Sequence, residues 1–338
     1  ALHALVHEAQ QHGVDFHTNP SDVVRQQLLA GELPLALSYL FPELRPMRSL
    51  RTPARQVFTE ALDALMDGDG TPHVRLLPVL GPLYACWTRA RWIGAKLNRN
   101  AWSADAESQY GRLVRRVVRL TDGGRRFMLS DGDEELPGFK PLVSMALELV
   151  ENRSDLAAAA IAISPAVVSR PIKVSQQVLP KSSLHSEWSE LAVMSSGWAK
   201  SDARLAIAYA GDPLKVEFHV GNRALWSGLM TSETTCDGHH VAPSGKWEET
   251  CWQSDKDCDF LELRMQLADG LRLERQFVLA KRDGVLTVAD IVIANDLEPR
   301  QLEHRFSLPL AAHVSWQPEV ETRDGVLTCG KPRPAVLP

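Results

Sequence analysis

Residues 203–228 read ARLAIAYAGDPLKVEFHVGNRALWSG. The stretch has a period of two, and Val216, Phe218 and Val220 alternate around His219. A period of two is that of a strand with one buried face. Gly221-Asn222 then stands where a hairpin needs residues that tolerate positive φ. On this reading His219 points away from its apolar neighbours, toward solvent. The same pattern extends in both directions, through SELAVMSSGW (189–198) upstream and DFLELRMQLADG (259–270), LRLERQFVLAKRDG (271–284), VLTVADIVIAND (285–296) and QLEHRFSLPLA (301–311) downstream. Two further Asp-Gly pairs, at 269–270 and 283–284, supply hairpin turns. An antiparallel β domain follows.

Before PAVVSRP (165–171) the period is different. SDVVRQQLLAG (21–31), TPARQVFTEALDALMDGDG (52–70), ESQYGRLVRRVVRLTDGG (107–124), KPLVSMALELVEN (140–152) and RSDLAAAAIAIS (153–164) carry apolar residues at helical spacing. Several open on Ser, Thr or Asp and close on Gly or Asn, as capped helices do. The expected organisation is therefore an α-helical domain over 1–163 and an antiparallel β domain over 164–338, with helical hairpins compatible with a toroid or a bundle. A chain of 338 residues agrees with two cores rather than one. The opening ALHALVHEAQQHG (1–13) reads as a helix already under way, which leaves room for a preceding segment. No basic and apolar leader is visible there, and no run approaches the ~20 apolar residues of a membrane span.

A net charge of −5 argues against a nucleic-acid partner, which selects basic surfaces. An acidic polymer could still bind a locally basic cleft. Five cysteines without a CxxC pair do not make a disulfide framework.

The residues able to hold a ligand gather in three places. In DGTPHVRLLPVLGPLYACWTRARWIG (69–94) a helix should begin near Pro82, since proline is tolerated in a first turn. Leu83, Cys86, Ala90, Ile93 and Leu97 form its core stripe, and Tyr84, Trp87, Thr88 and Arg91 a neighbouring one, with His73 and Arg75 in the loop before. Aromatic faces and guanidinium groups hold sugars and carboxylates. The same stripe also reads as a helix-packing interface. In TCDGHHVAPSGKWEETCW (235–252), His239 and His240 share a Gly/Pro-rich connection with Trp247 and Trp252. Cys236, Asp237, Cys251 and Cys258 add ligand types, but their spacing matches no closed zinc motif, so no metal and no cofactor is expected. His185, Glu187, Trp188 and Glu190 sit where helices give way to strands. Clefts form at such places, and so do seams of satisfied polar groups.

The succession of helical hairpins, then LPKSSLHSEWSELAVMSSGW (179–198), then the 203–228 stretch, resembles the heparinase II/III-like polysaccharide lyases. The likeness spans about residues 60–312 and includes FLELRMQLADGLRLERQFVLAKRDGVLTVADIV (260–292). It implies an incomplete α/α toroid followed by an antiparallel β-sandwich. It also implies β-elimination on a uronic-acid-containing polysaccharide, and a periplasmic or secreted setting. A tyrosine helped by a histidine would remove the C5 proton while polar groups neutralise the carboxylate. On that resemblance Tyr84, His73, His239 and His240 are the catalytic candidates, and Arg75, Trp87, Arg91, His185, Trp188 and Trp247 the substrate-binding ones. Two departures stand out. AYAGDPLKVEF (208–218) lacks the histidine-rich loop of active members, and no acidic residue followed closely by tyrosine comes after DGDG (67–70). Either the site is rebuilt from other residues or the base is lost. The expected functions are thus an acidic-polysaccharide lyase, a non-catalytic carbohydrate-binding or structural module of the same fold, or, more weakly, a glycoside hydrolase using Glu187 and Glu190, which as strand neighbours three apart would face opposite sides.

Overall fold

A computed structural model describes residues 17–130, 136–169, 172–294, 300–318 and 325–329. The helix expected over 1–13 lies outside them. The chain forms two compact units, Ala1–Leu191 with Trp198–Lys200 and Ala192–Gly197 with Ser201–Pro338. Helices build the first, and no named strand among the described residues precedes Leu184. Residues 164–191, assigned by period to the β half, cluster with the helices. They hold 3-10 turns at Pro165–Val167 and Val174–Gln176 and the three-residue strand β1 (Leu184–Ser186).

The helices are α1 (Pro20–Gln26), α2 (Leu33–Leu40), α3 (Arg45–Arg48), α4 (Arg51–Ala64), α5 (Leu80–Lys96), α6 (Ala104–Val117), α7 (Phe139–Val150) and α8 (Arg153–Ala162). None is long and apolar enough to cross a membrane. Local chemistry explains their limits. Ser103 accepts a hydrogen bond from the Ala106 N–H at the start of α6, whose first turn carries Asp105 and Glu107 and whose last carries Arg115 and Arg116. Those charges complement the helix dipole. Helix α5 follows a 3-10 turn, Val74–Val79, and admits Pro82 in its first turn. The buried faces have helical spacing: Ala54, Val57, Phe58, Ala61 and Leu62 on α4, and Ala106, Tyr110, Leu113, Val114 and Val117 on α6. Each fully buried Leu or Phe contributes about 2 kcal/mol.

Beside a two-stranded sheet of Val314–Pro318 and Gly325–Cys329, the described residues of the second unit form two larger antiparallel sheets. One has the order β2-β3-β4-β5-β11, formed by β2 (Leu191–Ser195), β3 (Ala203–Ala208), β4 (Leu214–Val220), β5 (Arg223–Cys236) and β11 (Leu302–Ser307), with β6 (His239–His240) paired to β5. The other runs β10-β9-β8-β7 through β7 (Glu248–Ser254), β8 (Cys258–Gln266), β9 (Leu271–Ala280) and β10 (Val285–Ala294). Leu205, Ile207, Val216 and Phe218 from the first sheet share one hydrophobic core with Leu261, Leu263, Leu273, Phe277 and Leu279 from the second. The β8–β9 turn has Asp269 at φ 58° and Gly270 at φ 70°, the two positive values of a type I′ turn.

Strand β9 alternates buried and part-exposed residues, and Arg275 falls in the buried phase. Its guanidinium donates to both carboxylate oxygens of Asp290, its cross-strand partner, at 2.7 and 2.6 Å. The Trp247 and Phe306 rings stack over it at 5.1 and 5.7 Å. His304 Nε2 lies 2.7 Å from Asp290 Oδ2, and its Nδ1 lies 2.8 Å from Thr234 Oγ1. Burial pushes the Asp290 carboxyl up, but hydrogen bonds and charge from Arg275 and His304 outweigh it and hold the group below its usual range.

Candidate functional site

The DGDG loop builds one polar grouping in the first unit. Asp67 Oδ1 accepts the backbone N–H groups of Asp69 and Thr71, at 2.9 and 2.7 Å. Gly70 has φ 79°, and a Cβ there would stand 2.5 Å from the backbone nitrogen of Leu113, so only glycine lets the loop lie on α6. The 184–191 segment is laced to this loop. Ser186 Oγ donates to Asp67 Oδ2 (2.6 Å), Ser189 Oγ donates to the Thr71 carbonyl (3.0 Å), and the Val74 N–H donates to the Ser189 carbonyl (3.0 Å).

His73 emerges from that framework, buried. Its Nδ1 accepts the Arg75 backbone N–H at 3.3 Å, so the neutral ring carries its proton on Nε2, which faces Glu190 Oε2 at 3.5 Å. Glu190 has φ 53°, a left-handed conformation that a non-glycine residue holds only when its surroundings impose it. The Trp188 ring meets the His73 ring edge-on, centroids 5.5 Å apart, and is 41% exposed. Burial, then the charges of Arg75 and His17, lower the His73 pKa to about 4. Burial alone takes His185 to about 4. Both rings are neutral at pH 7. An exposed indole, a carboxylate and the exposed Arg75 can grip a sugar here. His73 is not placed to act as a base, because one nitrogen holds a backbone N–H and the other already carries a proton.

The α5 candidates behave differently. Tyr84 is fully buried, edge-on to Phe127 at 5.8 Å, and its hydroxyl has no hydrogen-bond partner among the described residues. Burial, then the neighbouring Tyr110, raises its pKa well above the usual tyrosine value. Burial therefore counts against Tyr84 as a base, because a phenol held neutral removes no proton. Trp87 is also buried, its indole N–H donating to Gln27 Oε1 at 3.0 Å, so it offers no stacking face. Arg91 Nε pairs with Glu107 Oε1 at 2.6 Å. On this helix the packing interface prevails.

In the second unit His239 and His240 are exposed on the short strand β6, opposite Cys236 and Thr235. Trp247 is buried, donates to Asp212 Oδ1 at 3.2 Å and packs on Arg275, which ends its candidacy as a substrate platform. Among the described residues no three His, Cys, Asp or Glu side chains gather as metal ligands.

His219 is buried rather than exposed. Alternation places it off the face of Phe218 correctly, but that second face of the sheet is itself covered. His219 Nε2 lies 2.6 Å from Glu217 Oε1, two residues away on the same face of β4, and its buried Nδ1 has no hydrogen-bond partner among the described residues. Arg204 on β3 is the cross-strand partner of His219 and shares its face. A carboxylate orienting one imidazole nitrogen and leaving the other basic is a general-base geometry. The spacing Glu217-x-His219 was the sequence signal for it.

No family model matches the chain, and no curated protein does at a significant level. Solved structures do. A heparinase III aligns with a TM-score of 0.63 at 11% identity, covering 82% of this chain and 46% of its own. The heparan sulfate lyase HepC from Pedobacter heparinus aligns with a TM-score of 0.59 at 13% identity, covering 86% of this chain and 48% of its own. At such identity the likeness is one of fold, and the chain spans about half the length of these structures.

Proposed function

We propose that this chain is a polysaccharide lyase-like protein acting on a uronic-acid-containing polymer, with an incomplete α/α toroid before a β-sandwich, and that its base is a histidine rather than a tyrosine. All four tyrosines, Tyr39, Tyr84, Tyr110 and Tyr209, are buried, as His219 is; burial keeps a phenol protonated but an imidazole neutral, so it counts against a phenolate base and not against a histidine one. The Glu217–His219 pair carries the reading. Glu217 holds the Nε2 proton, and the Nδ1 lone pair takes the C5 proton of the uronate. Arg204, the cross-strand partner of His219, supplies the positive charge that neutralises the substrate carboxylate so that this proton can leave. The electron pair forms the C4–C5 double bond as the C4–O bond breaks, and the departing glycosidic oxygen takes up a proton from solvent to leave as a hydroxyl. Trp188 and Arg75 supply sugar contacts of their own.

The experiment is absorbance at about 232 nm, where an unsaturated uronate absorbs, during incubation with a panel of uronic-acid polymers; elimination removes the C5 proton that a positioned base takes. Activity should survive Tyr84→Phe and vanish in His219→Ala. The burial of His219 favours a second reading, a non-catalytic module that binds the same polymers. Retained polymer binding without any absorbance change would select it, and new reducing ends without that change would point to hydrolysis.

A further inference from the structure

Arg112, Arg115 and Arg116 of helix α6 and Arg119 of the 3-10 turn that follows it, Val118–Leu120, fall at i, i+3, i+4 and i+7, and all four line one cavity of about 350 Å³. Asn152, the N-cap of α8, and Ser154, in its first turn, line it too, so a ten-residue helix presents its positive end there. Arg119 is held rigidly: Nε donates to the Lys181 carbonyl at 2.8 Å, Nη1 to the Arg115 carbonyl at 2.6 Å, and its guanidinium stacks on Trp198 at 5.4 Å.

Two carboxylates share the cavity. Asp69 Oδ2 pairs with Arg116 at 2.9 Å. Asp155 is 4% exposed, and its Oδ2 accepts no hydrogen bond from the described residues, lying 3.5 Å from Arg115 Nε, with which it forms an ion pair. Four guanidinium groups against two carboxylates leave the lining doubly positive. A buried acceptor inside a positive pocket discriminates between oxyanions. Hydrogen phosphate and a protonated phosphomonoester bring a proton to donate to it, whereas sulfate brings none and meets lone pair with lone pair.

We propose that this cavity is a phosphate site, for inorganic phosphate or the phosphoryl group of a phosphomonoester, with the arginine stripe binding the charge and Asp155 selecting phosphate over sulfate. The site lies wholly in the first unit and uses none of the residues assigned to elimination.

Calorimetric titration of the intact chain with sodium phosphate, sodium sulfate and glucose 6-phosphate at matched ionic strength tests it. Phosphate should bind about 10- to 100-fold tighter than sulfate, the ratio that one hydrogen bond to a charged group confers. A tighter fit for glucose 6-phosphate than for phosphate identifies the monoester as the occupant, and the reverse identifies the free ion. Asp155→Asn, whose amide can donate, should bring the phosphate-to-sulfate ratio to about one or invert it, and Arg112→Ala should weaken both anions. Equal affinity of the unaltered chain for sulfate and phosphate, or no heat with millimolar phosphate, overturns the proposal without reference to any variant. So does an unchanged ratio in a folded Asp155→Asn protein.

Discussion

Tyr84→Phe separates the two readings of helix α5 in one substitution. The Tyr84 hydroxyl is buried and bonded to nothing among the described residues, while its ring packs edge-on against Phe127. Leaving such a hydroxyl unsatisfied costs roughly 1–3 kcal/mol in the native state. Removing it recovers that cost and leaves a void of one oxygen atom, a loss of about 0.5 kcal/mol at ~24 cal/mol per Å³. The net expectation is a gain of about 1 kcal/mol. In a unit of this size that raises Tm by about 2–4 °C. Differential scanning calorimetry of both proteins measures it, and the absorbance assay run beside it should show no change in turnover. A fall in Tm would mean that the hydroxyl has a partner, a buried water among them, and that its desolvation is compensated. Loss of lyase activity with an unchanged Tm would refute the packing assignment altogether.

Two further outcomes follow from buried charge. His73 and His185 have folded-state pKa values of about 4 against about 6.5 in an unfolded chain, so the unfolded state binds more protons between those limits. Their contribution is complete above pH 6.5 and is lost as pH falls toward 4, about 2 kcal/mol for each ring by pH 5. Urea midpoints should therefore decline from pH 7 to 5, and less steeply in His185→Leu; a flat profile would mean that both rings reach water. Asp290→Ala strands the buried Arg275 charge and should cost about 3–5 kcal/mol in denaturant unfolding, whereas Arg275→Met combined with Asp290→Leu should lie within about 2 kcal/mol of the parent. Equal losses in the two proteins would show that packing, not charge, holds that part of the core.

The sequence by itself determined the order of elements and most turns. Helix caps are local features: Ser103 and Asn152 each accept an orphan N–H at the start of α6 and α8, the one good use of a short polar side chain before a periodic run. Asp269-Gly270 was legible as a hairpin because few residues tolerate two successive positive φ angles. Such features depend on neighbours within a few residues. The assignment of residues 164–191 did not, since their partners are Asp67, Thr71 and Val74, more than a hundred positions away.

Tertiary structure decided which faces meet water. Period two places His219 and Phe218 on opposite faces of β4 but does not say that both faces are covered, and helical spacing sets Tyr84 and Trp87 beside the Leu83 stripe without showing that both stripes are packed. Arg275 shows the reverse case: it lies in the buried phase of β9, and the cross-strand position of Asp290 and the rings of Trp247 and Phe306 make a buried guanidinium tolerable. Periodicity encodes direction relative to one element's own axis, whereas burial depends on what another element brings to that face. Candidate chemistry lives on that second quantity, so the Glu217–His219 pair and the arginine-lined cavity emerged only once the chain was folded.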